Sequence, residues 1–483
     1  MNTVFLFMPA SLGMLSSVLA GTAFYGGKRM TVDEWKKIQD GRHFTDYTHF
    51  DRRISLDNFW EKVINPDKVA RHAFYPFIHY IKKDRKIRNG KSLKPKERDI
   101  YYASHKDSWI YRYYAFLLNE KYNERAVLDQ IDDNSVAYRN NHPGKNNVDY
   151  SLRALEFIKE QRKCMIMIGD FTHFFDNLEH SYLKKRICDL LEVERLPEDF
   201  YAVYKSITGF SYVDMDDLLR YNHLEENSAG RKQLNKKKYV MTESELRKFK
   251  DKIKKHTNNK GIPQGSPISA VLANVYMVEV DKQIRDYIQK RNGFYMRYSD
   301  DFIAVIPDAD EEEISMCYEY VRELLNYSGK IELQKEKTKI FRYEDNYIMN
   351  CASKIFKDQE NGKNVVEFLG LSFDGETIRI RDRTITRYYN KVYRKARNIV
   401  KSGWRTSKGN KITGERLYKI YSVRGSVNYR IRKNKEVEMQ NIRERNFFDY
   451  LNDTKKKASD RNFEEKVTER HMRKIAHVVK RNI

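Results

Sequence analysis

Apolar and polar positions along this chain switch between two periods, and each switch marks an element. The stretch Gly293–Pro307 holds two apolar, β-prone runs on either side of Ser299, Asp300 and Asp301. That pattern predicts a hairpin with Asp300 and Asp301 at its tip. Neighbouring strand residues face opposite sides, so only one of the two carboxylates can aim straight at a shared site. Far upstream, Lys163–Phe171 is a second apolar run, and it brings Asp170 to the end of a strand. Helical spacing predicts an aromatic-rich helix over Ser108–Tyr122, and further helices over Leu178–Glu192, Ile268–Lys290 and Asp310–Tyr327. Thr31 followed by Asp33 and Glu34 reads as a helix start. A strand pair is expected around Glu367–Gly375.

The segments between these elements carry candidate chemistry. Gly261-Ile262-Pro263-Gln264-Gly265-Ser266-Pro267 is turn chemistry leading into a helix. Its glycines let backbone approach a ligand closely, and the Gln264 amide can bond a base pair or a sugar. Ile81–Arg98 reads as a basic hairpin with a glycine turn, suited to gripping a triphosphate or simply a solvated loop. Asp176 is expected to cap the helix that follows it, and His173 and His180 to be polar surface residues. Lys205–Lys260 is highly charged and reads as an insertion or mobile connector.

Composition sharpens this picture. A chain of 483 residues has room for two or three domains, and 33% charged with 40% hydrophobic residues marks it as globular. The net charge of +24 is unevenly placed: residues 376–483 hold 31 Lys and Arg against 12 Asp and Glu, while the rest holds 61 against 56. A basic C-terminal region beside a near-neutral body suggests polyanion binding. Aromatics run through it (Tyr388, Tyr389, Tyr393, Trp404, Tyr418, Tyr421, Tyr429), suited to base stacking or to the core of a helical bundle. The four cysteines lack metal-ligand spacing and read as free thiols in a reducing compartment. Residues 1–27 have no charged side chain and leave four readings open: a signal peptide, a membrane anchor, an ordered arm, or translation from an upstream start with Met30 as the alternative. Membrane association is not expected of the rest.

Taken in order, Asp170-x-x-x-Phe-Phe-Asp, Gly-Ile-Pro-Gln-Gly-Ser-Pro-Ile-Ser, Tyr-Ser-Asp-Asp, Glu336-Lys337-Thr338 and Phe-Leu-Gly-x-x-Phe-Asp-Gly resemble the palm motifs of reverse transcriptases. They look like the bacterial lineage of group II intron, retron and abortive-infection enzymes. The resemblance implies an α+β right-hand polymerase. An N-terminal extension and fingers would span residues 30–162, a palm with an antiparallel sheet 163–375, and a basic helical thumb 376–483. It also implies that Asp170, Asp300 and Asp301, with the backbone carbonyl of Phe171, hold two Mg²⁺ ions, Mn²⁺ being an alternative. Phe175 would be the gate against a ribose hydroxyl, Gln264 and Gly265 would line the incoming nucleotide, and Lys96 and Arg98 would clamp its triphosphate. Lys337 matches a lysine that protonates the leaving pyrophosphate, and Phe368, Leu369 and Gly370 match the primer grip.

The implied activity is RNA-directed DNA synthesis from dNTPs. Carboxylates are the hard oxygen ligands that Mg²⁺ prefers, and two such ions activate the attacking hydroxyl and stabilise the leaving oxygen. An HNH-type endonuclease pattern is not seen, nor is the Asn-Ala-x-x-His stretch of many retron enzymes, while the Gln264-Gly265 pair is intact and Ser299 stands where alanine is more frequent. The chain is therefore most similar to defence-associated reverse transcriptases of the "unknown group". This implies a cytoplasmic antiphage enzyme copying a dedicated non-coding RNA into DNA, with a homo-oligomer left open. An RNA-directed RNA polymerase is the first alternative, against which Phe175 speaks; a non-catalytic RNA scaffold is the second. With 34 tyrosines, priming or untemplated synthesis from a tyrosine hydroxyl is a further option.

Overall fold

The strand Lys163–Asp170 forms the middle of a five-stranded antiparallel sheet in the order Phe294–Tyr298, Asp301–Pro307, Lys163–Asp170, Lys339–Glu344, Tyr347–Asn350. The computed structural model describes residues 30–40, 47–88, 91–327, 331–405, 409, 411, 421, 426–428, 442–444, 446–459, 461–464, 471, 473–474 and 477. Residues 1–29, read as an apolar arm or an upstream-start segment, and much of the region expected as a thumb, Tyr418 and Tyr429 included, lie outside the described residues. The class is α+β, as the resemblance implies. Among the described residues no helix is long and apolar enough to cross a membrane. Cys164, Cys188, Cys317 and Cys351 are all free and buried.

The chain divides into two compact units. The second comprises Asp133–Val136, Gly144–Thr172 and Val280–Ile483 and contains the five-stranded sheet. Its central strand is apolar from Cys164 to Ile168, where both faces are covered. On one face Cys164, Ile166 and Ile168 pack with Ile303, Val305 and Phe341 against Val148, Leu152, Leu155 and Ile158 of the helix Asn147–Glu160. Burying each Ile or Val of this kind contributes about 1.5–3 kcal/mol. The same core takes in Val366, Phe368, Leu371, Phe373, Ile378 and Ile380 of a three-stranded antiparallel sheet, where a strand pair was expected. On the opposite face Phe302 stacks on Phe171 with ring centroids 5.5 Å apart. Gly169 is required here: a Cβ would stand 2.3 Å from Phe302 Cε1.

The first unit comprises residues through Asp132, Ala137–Pro143 and His173–Glu279. The basic hairpin is two long antiparallel strands, Phe77–Arg88 and Lys91–Tyr102, with Ser211–Asp214 added in parallel to the first and Lys254–Lys255 beyond it. The helices expected from the aromatic and acidic stretches form as His105–Leu128, His180–Leu191, Ser269–Gln289, which belongs to the second unit from Val280 on, and, in the second unit, Glu311–Tyr327. Thr31 and Glu34 cap Val32–Asp40 reciprocally, each side chain accepting from the other's backbone N–H.

Two local expectations change. Asp176 does not cap the helix after it; Glu179 does, its carboxylate accepting from the N–H groups of Ser181 and Tyr182. Asp176 instead closes a short 3₁₀ turn, Phe174–Asp176, three residues too early for the capping position. The charged stretch 205–260, read as an insertion or mobile connector, is folded rather than irregular. It folds into short helices and two short strands around Val213, Met215, Leu218, Leu219, Leu234, Val240 and Met241, packed with Phe50 and Ile78. Its lysines sit on exposed positions, so the charge of the stretch conceals a small apolar minority that is buried together.

Candidate active site

The hairpin forms with Tyr298 and Asp301 as its last register pair, leaving Ser299 and Asp300 as the two turn residues. Such a tight turn needs left-handed backbone, and Ser299 supplies it with φ 64°. The next strand pairs with the central one so that Asp301 lies directly opposite Asp170. Directly opposed residues in an antiparallel pair share a face of the sheet. Asp170 continues the Cys164, Ile166, Ile168 face, and Asp301 continues that of Ile303 and Val305. Two carboxylates 131 positions apart in sequence are thereby neighbours. Asp300 joins them through the backbone, its carbonyl accepting from Phe171 N–H at 3.2 Å.

The segment after the central strand is held by a second run of backbone bonds. Thr172 N–H donates to Glu332 O at 2.9 Å, and Gln334 N–H donates to Asp170 O at 3.2 Å. These bonds bring the turn Lys335–Lys337 beside the central strand, and Lys337 Nζ donates to Asp170 Oδ2 at 2.8 Å. Asp301 keeps solvent on one side. Burial of the rest of it, then the charges of Asp300 and Asp170, raise its carboxyl to about 6, while Arg381 and Lys337 pull the other way. A carboxyl raised by burial and by neighbouring carboxylates is a common mark of a functional site.

The donor set fits a divalent cation in chemistry: three carboxylates and a backbone carbonyl, all hard oxygens, with mutual repulsion that a dication relieves. Among the described residues no group of three or more acidic, histidine or cysteine side chains is placed to hold a metal ion. The Lys337 ammonium brings positive charge to Asp170.

The other residues singled out in the sequence fall as follows. Phe368, Leu369 and Gly370 lie in the second unit, at the hairpin between Val366–Phe368 and Leu371–Phe373. Leu369 and Gly370 have φ of 44° and 102°. Ser151 Oγ donates to Phe368 O at 2.8 Å, Asn147 Nδ2 to Leu369 O at 2.7 Å and Arg381 N–H to Gly370 O at 3.0 Å. Phe175, Gln264, Gly265, Lys96 and Arg98 lie in the first unit. Phe175 is half-buried, and its carbonyl accepts from Ile262 N–H at 2.9 Å. Tyr101 N–H donates to Gln264 O at 2.9 Å, which ties the Gln264-Gly265 turn to the end of the basic hairpin. Gly265 has φ 118°, and a Cβ there would stand 2.6 Å from Tyr101 O. Lys96 and Arg98 sit on one strand, opposite Asp84 and Lys82.

Sequence reading missed the buried group behind the hairpin, Arg297 with Asp281 and Ser135. An arginine inside an apolar strand run was the available signal, since a buried guanidinium requires a partner.

Carboxylates are thus presented together from one end of an antiparallel sheet by chain segments far apart in sequence. The reverse transcriptase (RNA-dependent DNA polymerase) family model matches residues 111–373, more than half of the chain, and the chain belongs to that family. Members of the family are nucleotidyltransferases. Comparison with the curated proteins gives no match. Similar solved structures include telomerase from Candida albicans in complex with a TWJ fragment of telomeric RNA (TM-score 0.37, 13% identity, 72% of this chain and 50% of that one). Apo telomerase from Candida tropicalis truncated from its C-terminal domain is another (TM-score 0.36, 13% identity, 62% of this chain and 53% of that one). The chain spans about half the length of these telomerase chains.

Proposed function

We propose that this chain is an RNA-directed DNA polymerase that adds dNTPs to a primer by two-metal phosphoryl transfer. One observation carries the reading: Asp170 and Asp301 are register partners on one face of the sheet, with Asp300 in the adjoining turn, in a chain of the reverse transcriptase family. Two Mg²⁺ held by Asp170, Asp300, Asp301 and the Phe171 carbonyl would lower the pKa of the primer hydroxyl and stabilise the departing oxygen.

The chain's own residues position and neutralise. Lys337, bonded to Asp170, keeps an ammonium at the site and is our candidate for the proton passed to pyrophosphate. Phe175, Gln264 and Gly265 form our candidate nucleotide wall, with Phe175 selecting against a ribose hydroxyl and Lys96 and Arg98 meeting the triphosphate. The Phe368–Gly370 turn is our candidate primer grip, fixed by three bonds to its carbonyls. Residues 30–162, 163–375 and 376–483 correspond in this reading to fingers, palm and thumb. The finer reading is a cytoplasmic enzyme of antiphage defence that copies a dedicated non-coding RNA. The intact Gln264-Gly265 pair and the excess of Lys and Arg over residues 376–483 support it.

Extension of a DNA primer on an RNA template tests the activity, with dNTPs and NTPs compared. The expected result is dNTP incorporation that disappears in Asp300→Ala with Asp301→Ala while RNA still binds. Preference for NTPs, or full activity in the double variant, would overturn the assignment. Sequencing the nucleic acid that co-purifies with the protein tests the dedicated template.

A further inference from the structure

Arg297 occupies a core position two residues before the turn of the site hairpin. It is fully shut off from water, and so is its partner Asp281 on the helix Ser269–Gln289. Arg297 Nε donates to Asp281 Oδ1 at 2.8 Å and Nη2 to Oδ2 at 2.6 Å, a two-pronged pairing that fixes the plane of the guanidinium. Tyr295 Oη donates to Asp281 Oδ1 at 2.8 Å and fixes the carboxylate in turn. Such a pair costs desolvation and is by itself poor evidence of stability, so its position calls for another reason.

The remaining bonds supply one. Arg297 Nη1 donates to the carbonyl of Ser299 at 2.9 Å, and Nη2 to Ser135 Oγ at 2.8 Å. The Ser299 carbonyl belongs to the peptide that enters Asp300, and Ser299 itself holds φ 64°, a conformation that a non-glycine residue keeps only when its surroundings impose it. The backbone of Arg297 is clamped as well, its N–H donating to Asn134 O at 2.7 Å and its carbonyl accepting from Val136 N–H at 3.1 Å. A chain of fixed groups therefore runs from Asp281 through the guanidinium to the peptide plane that orients Asp300 and sets Asp301 opposite Asp170.

We propose that Arg297 and Asp281 are positioning residues of the carboxylate site, holding the Ser299–Asp300 peptide in the orientation that the site requires. The proposal rests on the reading of Asp170, Asp300 and Asp301 as the polymerase centre. Two variants of the full chain separate positioning from simple packing. Arg297→Lys keeps the charge and loses the fork. Arg297→Met with Asp281→Leu removes both charges and keeps the volume, a replacement that leaves stability near neutral when a buried pair is only structural.

The measurements are kcat and KM for dNTP in RNA-templated primer extension, the Mg²⁺ concentration giving half-maximal rate, and the thermal midpoint. Assays run well below each variant's midpoint. Small displacements of a catalytic group cost about 100-fold in rate. Both variants are therefore expected to lose about 100-fold in kcat, with KM for dNTP little changed and the Mg²⁺ requirement raised. Wild-type kcat and Mg²⁺ requirement in either folded variant would overturn the proposal. If the apolar pair does not fold, Arg297→Lys decides alone by the same readouts. Asp300→Ala with Asp301→Ala is measured alongside: activity there would sink the site reading itself, whereas inactivity there with fully active Arg297 variants sinks only the positioning role.

Discussion

Asp301→Asn should stabilise the metal-free protein at neutral pH, because in the folded chain the wild-type carboxylate is ionised against its surroundings. Its carboxyl is raised from the ordinary 3.8 to about 6 by burial and by Asp300 and Asp170. A raised folded pKa means that the folded state holds this proton more tightly than the unfolded chain does. The contribution of Asp301 to stability is therefore fully present below about pH 4 and is lost as pH rises through about 6. About two pKa units correspond to at most about 3 kcal/mol. The open side of Asp301 is screened by water, which brings the expected cost of ionisation nearer to 1 kcal/mol. That is a gain of about 2 °C in thermal midpoint for Asp301→Asn in a unit of this size.

Thermal unfolding followed by circular dichroism, with a chelator present, gives the assay. The gain should be present above about pH 7, shrink through about pH 6 and vanish near pH 4. Saturating Mg²⁺ should reverse the order, because a ligand of the folded state adds stability only where its site is intact, about 1.4 kcal/mol at ten times Kd. A destabilising or pH-independent effect of Asp301→Asn in the metal-free protein would refute the reasoning.

Two further substitutions probe separate features. Gly265→Ala places a Cβ 2.6 Å from Tyr101 O at a backbone with φ 118°; strain of about 1–3 kcal/mol should lower the thermal midpoint. In primer extension the same variant should raise KM for dNTP more than it lowers kcat. Lys337→Met removes a partner 2.8 Å from Asp170, and both side chains of that pair keep water contact. Such a pair contributes only about 0–1 kcal/mol to stability, so the thermal midpoint should hardly move. A drop in kcat then reports chemistry rather than folding.

The hairpin and its two carboxylates were legible because apolar runs on either side of a short polar break have few other solutions. The strand ending in Asp170 was legible for the same reason. The pairing of Asp170 with Asp301 was implied by the family resemblance but not by local pattern, since register between strands this distant in sequence depends on what covers the sheet. Arg297 shows the limit from the other side. Its type and place announced a buried charge, but Asp281 lies on a helix and Ser135 on a loop far upstream, and no local rule connects the three. Asp176 misled because aspartate is a good capping residue; it ends the 3₁₀ turn Phe174–Asp176, and the cap of the helix starting at His180 falls to Glu179. The folded character of residues 205–260 was not legible, because mean charge hides a few apolar positions that find one another only in three dimensions.

The central claim is that Asp170, Asp300 and Asp301 bind divalent cations together. Titration of Mn²⁺ into the protein with an RNA template and DNA primer bound, followed by electron paramagnetic resonance, tests it most directly. The account predicts protein-bound Mn²⁺ in the wild type whose affinity falls sharply in Asp170→Asn and in Asp301→Asn alike. Unchanged Mn²⁺ affinity and stoichiometry in both variants would contradict it.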